Sequence, residues 1–404
     1  MTEPSTLARP SADPALIVIL AGVCAALHVG KLPPAISALQ LALGMSLLQA
    51  GFLLSLVQLA GMSVGVMFGV VADGLGLRRS MVCGLLVLAA ASALGGAARD
   101  VPMLMLLRVI EGFGFLLVAL PAPGLIRQLV PPHRMTRMLG LWSAYMPFAA
   151  ALALLLGPVL IGAAGWQAWW WGLAGASLAM ALWVARGVPQ PSGQGRPPLA
   201  APADWRVRLR QTLSVPGLWR VAMMFAFYSG QWLAVIGFLP LIAMQAGWSG
   251  AALGGLTALA AAVNIVGNLA TGRFLQRGVA PPALLYVGFI GMGLGAIAAF
   301  AGAPQTGLPP LLRYFGVLVF SMIGGFIPAT LFALAVQLAP NQMTLATTVG
   351  WVQQWSAFGQ FAGPPAVAWI ASRAGGWQWT WLVCCACSAL GLVLAARIAG
   401  PPKR

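Results

Sequence analysis

The feature that most constrains this fold is a series of long apolar runs that recurs from one end of the chain to the other. A run of about 18 or more apolar residues is long enough to cross a bilayer as an α-helix. The sequence lacks the short segments of alternating polarity that build membrane barrels. Only 7% of the 404 residues are charged, against about a quarter in ordinary soluble domains. The sequence therefore predicts an all-α membrane protein with twelve spans, numbered here in chain order: 15–36, 46–71, 80–98, 102–125, 138–163, 168–186, 217–243, 250–273, 282–303, 308–334, 343–370 and 377–398.

The distribution of positive charge predicts the topology. Most of the 22 lysines and arginines flank one face of the predicted bundle, including Arg206, Arg208 and Arg210. Cytoplasmic loops carry the excess of basic residues, so this face is predicted to be cytoplasmic, with both termini inside. The opposite face is called the outer face below. The net charge of +16 is then a topology signal, and it does not imply a nucleic-acid partner.

One segment interrupts the apolar pattern and predicts the domain organisation. It covers residues 187–216, is rich in proline and glycine, and ends in a basic run, as expected of a cytoplasmic linker. We predict six-helix bundles at 15–186 and 217–398 on either side of it. Residues 1–14 and 399–404 are predicted to be cytoplasmic tails.

A polar motif occurs twice and indicates that the two bundles arose by duplication. The loop after span 2 contains the motif from Gly69 to Arg79, and a weaker copy runs from Gly267 to Arg277, 198 positions later. Gly69, Ala72, Gly74 and Arg79 recur in register as Gly267, Ala270, Gly272 and Arg277. Thr271 replaces the aspartate of the first copy. Internal repeats of this kind are typical of secondary transporters.

At this point the chain resembles the major facilitator superfamily over nearly its whole length. The family motif between spans 2 and 3 is filled at every position, by Gly69, Asp73, Gly76, Arg78 and Arg79. The resemblance implies two pseudo-symmetric six-helix bundles. It also implies that Asp73 meets the N-terminus of span 11 while the cytoplasmic side is closed, where the helix dipole favours a carboxylate. The alternative is that this loop serves only topology and local packing.

Two further family motifs are present in partial form. Arg108, Gly112 and Gly114 match the motif of span 4, and Gly157-Pro158 matches part of the span 5 motif of the antiporter branch. Ile161 occupies one glycine position of the latter, which leaves the direction of transport open. The segment from Lys31 to Pro34 is similar to the bacterial cyanate and nitroimidazole transporter branch.

Four ionisable residues fall inside the predicted spans and are candidate functional residues, because burying charge in a membrane is costly. On helices of ordinary rise, His28 and Lys31 of span 1 lie at the same depth as Arg108 and Glu111 of span 4. Glu111 is the candidate proton carrier, Lys31 a partner for Glu111 or for an anionic substrate, and Arg108 an orienting group. Three structural alternatives remain open: an ion pair between Arg108 and Glu111, a Lys31 side chain that reaches the outer surface, and packing of His28.

The predicted spans of the C-terminal half contain no carboxylate, and their polar candidates are amides, chiefly Gln231 and Asn264. Both are candidates for the substrate pathway, and the alternative is hydrogen bonding between helices.

These features predict a secondary transporter that moves a small organic solute across the bacterial inner membrane by alternating access, coupled to protons. Uptake of a small organic anion such as cyanate and drug-type efflux both remain open, and a non-transporting membrane sensor is a remote alternative. The sequence lacks a nucleotide-binding loop and the paired groups of an intramembrane enzyme. We therefore expect no enzymatic activity, cofactor or metal. The expected partners of this monomer are its solute, protons and membrane lipid.

Overall fold

The computed structural model describes residues 13–63, 76–189, 202–302, 308–341 and 344–398, and all regular structure in these ranges is helical. Each of the twelve predicted spans contains a helix in its described part, which confirms the predicted all-α membrane fold. Eight helices of the described ranges are long and apolar enough to cross a membrane. The longest, Tyr145–Gly187, consists of two helices that meet at Gly165, where the backbone angles are not helical, and it contains most of span 5 and all of span 6.

The helix boundaries follow the predicted spans closely. In the N-terminal half the helices are Pro14–Gly30, Ile36–Leu43, Leu47–Ser55, Leu77–Gly96, Val101–Ala119, Ala122–Leu129, Pro132–Ser143 and Tyr145–Gly187, with 3-10 turns at Pro33–Ala35 and Leu56–Gln58. In the C-terminal half they are Pro202–Leu213, Pro216–Gln245, Gly250–Gln276, Pro281–Phe300, Pro310–Gly324, Phe326–Leu338, Leu345–Ala374 and Thr380–Ala396. Residues 1–12 and 399–404 of the predicted tails and residues 190–201 of the predicted linker lie outside the described residues.

Side-chain caps and glycines set the ends of several helices. Asp13 caps span 1 by accepting from the backbone N–H of Ala15 at 3.0 Å, which satisfies a donor that has no partner within the helix. Ser46 and Gln49 form a reciprocal capping box at the start of span 2. Gly165 adopts φ +83°, a left-handed conformation that only glycine reaches without cost, and so separates span 5 from span 6.

Span 1 is broken near its outer end. The first helix ends at Gly30, a 3-10 turn covers Pro33–Ala35, and a second helix begins at Ile36. The break follows from the two prolines, because each lacks a backbone donor and its ring collides with the preceding turn. Lys31 therefore lies at the end of a half-helix inside the bundle.

Glycines allow close helix crossings at equivalent places in the two halves. A Cβ at Gly84 of span 3 would lie 2.6 Å from the backbone oxygen of Gly114 in span 4. The pair from spans 9 and 10 repeats this arrangement, with a Cβ at Gly295 placed 2.7 Å from the oxygen of Gly316. Small residues of this kind let membrane helices approach to backbone contact.

Three apolar cores hold the molecule together, and the third joins the two bundles. One core fills the N-terminal bundle and another fills the C-terminal bundle. The third lies at the outer ends of the spans and combines Leu39 and Leu54 of the first half with Phe238 and Ala368 of the second. The two halves are therefore packed against each other on the outer side.

Several helix pairs make this outer contact, and spans 2 and 11 and spans 5 and 8 are two of them. A Cβ at Gly51 of span 2 would lie 2.9 Å from the Cα of Pro365 in span 11. A Cβ at Gly254 of span 8 would lie 3.4 Å from the backbone oxygen of Leu154 in span 5. Deeper along the first pair, the Gln58 amide donates to Oε1 of Gln360 at 2.9 Å, so a polar contact continues the apolar one.

Candidate functional site

The structure brings four of the six candidate pathway residues into one cluster inside the N-terminal bundle. Lys31 and His28 come from span 1, and Arg108 and Glu111 come from span 4. Each side chain is at most 1% exposed. The spacing of three residues places each pair on one face of its helix, and these two faces are directed at each other.

Glu111 is the centre of this cluster. Its Oε1 atom accepts a hydrogen bond from the ammonium group of Lys31. Its Oε2 atom accepts from the Arg108 guanidinium at 2.5 Å. His28 Nδ1 lies 3.6 Å from Oε1, just beyond hydrogen-bonding distance. One carboxylate thus faces two cations and an imidazole in a region without exposed surface.

Groups from neighbouring spans complete the surroundings of Lys31. The ammonium group also donates to Oγ of Ser92 in span 3 at 3.0 Å, and Ser92 donates onward to the backbone oxygen of Trp170 at 2.9 Å. The nitrogen lies 4.6 Å from the centre of the Trp170 ring, within the range of a cation–π contact. The lysine side chain therefore points into the bundle and does not reach the outer surface.

Arg108 connects the cluster to the backbone of spans 1 and 2. Its Nη1 atom donates to the backbone oxygen of His28 at 2.7 Å, and its Nε atom donates to that of Leu53 at 3.3 Å. These carbonyls are available because helices bend or tighten nearby, at the break of span 1 and the 3-10 turn of span 2. The guanidinium thereby holds the carboxylate at a fixed place.

His28 has a separate partner. Its Nε2 atom lies 2.7 Å from Oγ of Ser177 in span 6, and the same hydroxyl lies 3.6 Å from the sulfur of Cys24. Ser92, Ser177 and Trp170 were not among the sequence candidates. A single serine or tryptophan in an apolar span carries no signal of its partner until the helices are packed.

The structure places the other two pathway candidates in the C-terminal bundle, away from this cluster. Oε1 of Gln231 accepts from Ser388 at 3.4 Å. The Asn264 amide donates to the backbone oxygen of Ser321 at 2.8 Å and accepts from Asn268 at 2.8 Å. Both residues take part in neutral networks between helices.

The loop motif is described only in part. Gly69 and Asp73 lie outside the described residues, so the predicted contact with span 11 is not addressed by the structure. Gly76 adopts φ +85° and precedes the first turn of span 3. Arg78 donates to the backbone oxygen of Ala185 at the end of span 6, and Arg79 is exposed.

Gly157 and Pro158 of span 5 make different contacts. A Cβ at Gly157 would lie only 2.5 Å from Cγ of Pro34, so the glycine accommodates the proline ring of the break in span 1. Cγ of Pro158 lies 3.6 Å from the position of a Cβ at Gly254 in span 8. This part of span 5 thus contacts both the broken helix and the opposite bundle.

A small cavity of about 20 Å³ lies between the bundles, beside the charged cluster. Its volume is enough for about one water molecule. Span 1 contributes Gly30 and Pro33, span 5 contributes Ala150, and span 7 contributes Trp232 and Gly237. The wall is largely apolar, and it includes residues adjacent in sequence to Lys31. No group of three or more metal-ligating side chains occurs in the described part of the chain.

Comparison with known proteins identifies the family. The sequence model that defines the Major Facilitator Superfamily matches residues 18–353 of this chain. The chain is 29% identical to the 2-nitroimidazole transporter of Escherichia coli (strain K12) over 278 residues, which are 66% of this chain and 68% of that protein. It is also 29% identical to the chloramphenicol resistance protein of Streptomyces lividans over 290 residues, or 68% and 70% of the two chains.

Solved structures of low sequence identity share the fold. A bacterial homologue of the human lysosomal transporter Spinster, in an inward-facing and occupied conformation, matches with a TM-score of 0.74 at 16% identity, covering 95% of this chain and 94% of that one. The xylose transporter XylE of E. coli, partially occluded and inward-open, matches with a TM-score of 0.74 at 15% identity, covering 97% and 98%.

Proposed function

Because the chain belongs to the Major Facilitator Superfamily and is a multi-pass membrane transporter, not an enzyme, we propose that it moves a small organic solute across the bacterial inner membrane in exchange or symport with protons. It acts as a monomer, and each bundle moves as a unit during alternating access. The observation that carries the proposal is the buried cluster of Lys31, Arg108 and Glu111. Ionisable groups at membrane depth commonly belong to proton relays.

The packing of the two bundles supports alternating access. The outer ends of the spans share an apolar core, and spans 2 and 11 and spans 5 and 8 are in contact there. With the predicted topology, this arrangement corresponds to an inward-facing or occluded state. In the complementary state these outer contacts open, and the Asp73 loop closes the cytoplasmic side by contact with span 11.

The solute is proposed to bind between spans 1, 5 and 7, where the water-sized cavity widens as the two bundles separate. This position lies between the two bundles, where transporters of repeated architecture bind their substrates. Trp232 and the neighbouring apolar residues suit a lipophilic or weakly polar solute. Gln231 and Asn264 are proposed to stabilise the C-terminal side of the pathway by hydrogen bonds between their own helices and the neighbouring ones.

A second candidate solute is a small organic anion. The cluster contains two cations and one carboxylate, and this excess of positive charge favours an anion nearby. Complete burial of the cations argues for the first candidate, because no surface of Lys31 or Arg108 is available to a solute in this conformation. The direction of transport is left to experiment.

Proteoliposomes test the proposal directly. The purified protein is given 2-nitroimidazole, chloramphenicol and cyanate in turn, and internal pH is recorded together with uptake of the labelled solute. Movement of protons with one solute, lost in Glu111→Gln, supports coupling through the cluster. Solute movement without protons, unchanged by Glu111→Gln, would make the protein a facilitator.

A further inference from the structure

The formal charges of the buried cluster do not sum to zero. If Lys31, Arg108 and Glu111 are all ionised, the cluster has a net charge of +1 and no exposed surface to hydrate it. An uncompensated charge in a protein interior within a membrane is strongly unfavourable. Release of one proton from the cluster would remove this charge, so the structure contains a built-in reason to exchange a proton here.

The members of the cluster differ from one another in their ability to release that proton. A guanidinium does not lose its proton in proteins, so Arg108 remains charged. Protonation of Glu111 would leave two cations unpaired and would increase the net charge. Neutral His28 contributes no charge, and its Nε2 atom is occupied by the Ser177 hydroxyl. The Lys31 amine remains as the group whose deprotonation makes the cluster neutral.

The surroundings of Lys31 contain no further charge in the described part of the chain. Span 4 presents Glu111 and Arg108, and span 1 presents His28 one turn away. Spans 3 and 6 present the neutral Ser92 and Trp170. Cys24 lies beyond the Ser177 hydroxyl and does not contact the lysine.

The position of Lys31 connects its charge to the break in span 1. It ends the first half-helix of span 1, and its backbone oxygen accepts from the indole of Trp169 at 3.1 Å. Pro34, three residues on, is seated on Gly157 of span 5. Gly30 and Pro33, on either side of the lysine, line the cavity between the bundles. A change in the attraction between Lys31 and Glu111 therefore acts on the break in span 1, beside the proposed solute route.

We propose that the Lys31 amine is the exchangeable proton site of the transport cycle, with Glu111 retained as the ionised partner of Arg108. In the proton-loaded state the ammonium group binds Glu111 and Ser92. When the break in span 1 admits water, an N–H bond of Lys31 breaks, the proton passes to water as hydronium, and the electron pair stays on Nζ. This inference rests on the proposed proton coupling and names the group that performs it.

The test combines a readout that needs no solute with one that does. Spin labels are placed at Leu41 and Ala246, which are exposed at the outer ends of spans 1 and 7, in a background without the five native cysteines. Distances between the labels are measured against pH in lipid nanodiscs. Accumulation of 2-nitroimidazole driven by a proton gradient is measured in proteoliposomes. Both are recorded for the wild type, Lys31→Met, Lys31→Arg and the control Ser55→Ala.

We expect the wild-type distances to change with pH and those of Lys31→Met and Lys31→Arg to be independent of pH. Ser55→Ala, whose hydroxyl donates only to Phe52 of its own helix and lies outside the cluster, should retain the response. Gradient-driven accumulation should be lost in both lysine variants. Lys31→Met leaves a neutral pair of Arg108 and Glu111, so it should fold even where Lys31→Arg is too large for the site.

The outcomes separate the two proposals. A Lys31→Met protein that responds to pH like the wild type would overturn the assignment to lysine, while proton coupling could stand through another group. Wild-type distances that do not respond to pH would also overturn the assignment. A wild type that responds to pH through Lys31 and yet moves 2-nitroimidazole without protons would retain the lysine as a titrating switch and refute the proposed coupled transport.

Discussion

The two bundles are joined internally by different chemistry, although they share one architecture. In the N-terminal bundle, spans 1 and 4 are linked through Lys31, Arg108 and Glu111. In the C-terminal bundle, the corresponding spans 7 and 10 are linked by the Trp232 indole, which donates to the Ser321 hydroxyl at 3.1 Å, and Asn264 of span 8 donates to the backbone oxygen of Ser321. Both interiors bury polar atoms without a hydrogen-bond partner, such as Arg108 Nη2 in the first and Gln231 Nε2 in the second. Among the described residues, only the first interior holds a buried ion pair.

Because of this difference, we expect substitutions in the two interiors to change the free energy of unfolding by different amounts. Removing one partner of a buried ion pair leaves an uncompensated charge and costs about 3–5 kcal/mol. Removing a neutral hydrogen bond between membrane helices costs about 0.6 kcal/mol on average and rarely more than about 1.7. The N-terminal bundle is therefore expected to respond sharply to loss of a charge or a proton, whereas the C-terminal bundle serves as a frame.

The largest predicted effect is that of Glu111→Gln. The change leaves Lys31 and Arg108 buried without a counter-charge, so we expect a loss of about 3–5 kcal/mol in the free energy of unfolding. Thermal unfolding of the purified protein in detergent measures it. The double variant Lys31→Met with Glu111→Gln removes one of the two stranded cations and should recover part of the loss. An unchanged melting temperature in Glu111→Gln would contradict the buried cluster.

The sequence predicts the spans well because helix length and hydrophobicity are local properties. It also predicts that His28, Lys31, Arg108 and Glu111 share one depth, because the rise of a helix fixes the depth of each residue. It does not predict Ser92 as a ligand of the Lys31 ammonium, because that contact depends on how span 3 is rotated against span 1.

Two details of the site depend on tertiary packing in the same way. Lys31 next to two prolines is equally compatible, in sequence, with a side chain that reaches the surface and with one that is buried. Only the position of Glu111 across the bundle determines which occurs. The fit of Pro34 onto Gly157 likewise joins residues that are remote in sequence. The sequence marks both residues as unusual, but it does not pair them.

Substitutions at the glycine crossings test whether the helices of the two bundles are packed in the same way. Alanine at Gly84 or at Gly295 would place a Cβ within 3 Å of backbone atoms of the neighbouring span, and overpacking of this kind costs about 1–3 kcal/mol. We expect similar losses of stability in the two variants. Gly175→Ala and Gly272→Ala are matched controls, because a Cβ there meets nothing within 4 Å. A large loss in one bundle alone would show that the crossings are not equivalent.

A smaller effect is expected for Asn264→Ala in the neutral network. Asn264 donates to the backbone oxygen of Ser321 in span 10 and accepts from Asn268 in its own span 8, so its loss should cost about 0.6–1.7 kcal/mol. Thermal unfolding under the conditions used for Glu111→Gln provides the comparison. A loss as large as that of Glu111→Gln would mean that charge does not distinguish the two interiors.

The smallest predicted change in free energy is for the hydrogen bond between Gln58 and Gln360, which joins the bundles. Its loss should change the ratio of outward-open to outward-closed molecules. Gln58→Ala removes the 2.9 Å bond to Gln360, which joins spans 2 and 11 while the outer side is closed. One such bond contributes about 0.5–1.5 kcal/mol, so its loss should raise the ratio of outward-open to outward-closed molecules roughly two- to tenfold. Distances between spin labels at Leu41 and Ala246 measure this ratio.

Ser55→Ala is the matched control for Gln58→Ala. The Ser55 hydroxyl donates to the backbone oxygen of Phe52 in its own helix, so its removal does not affect a contact between the bundles. Gln360→Ala should reproduce the shift of Gln58→Ala, and the double variant should add little, because both changes remove one bond. Equal distance distributions in Gln58→Ala and Ser55→Ala would show that the outer closure depends on the apolar core alone. The Gln58–Gln360 hydrogen bond would then favour neither the outward-open nor the outward-closed state. The difference between the bundles would lie only in the buried charges of the N-terminal half.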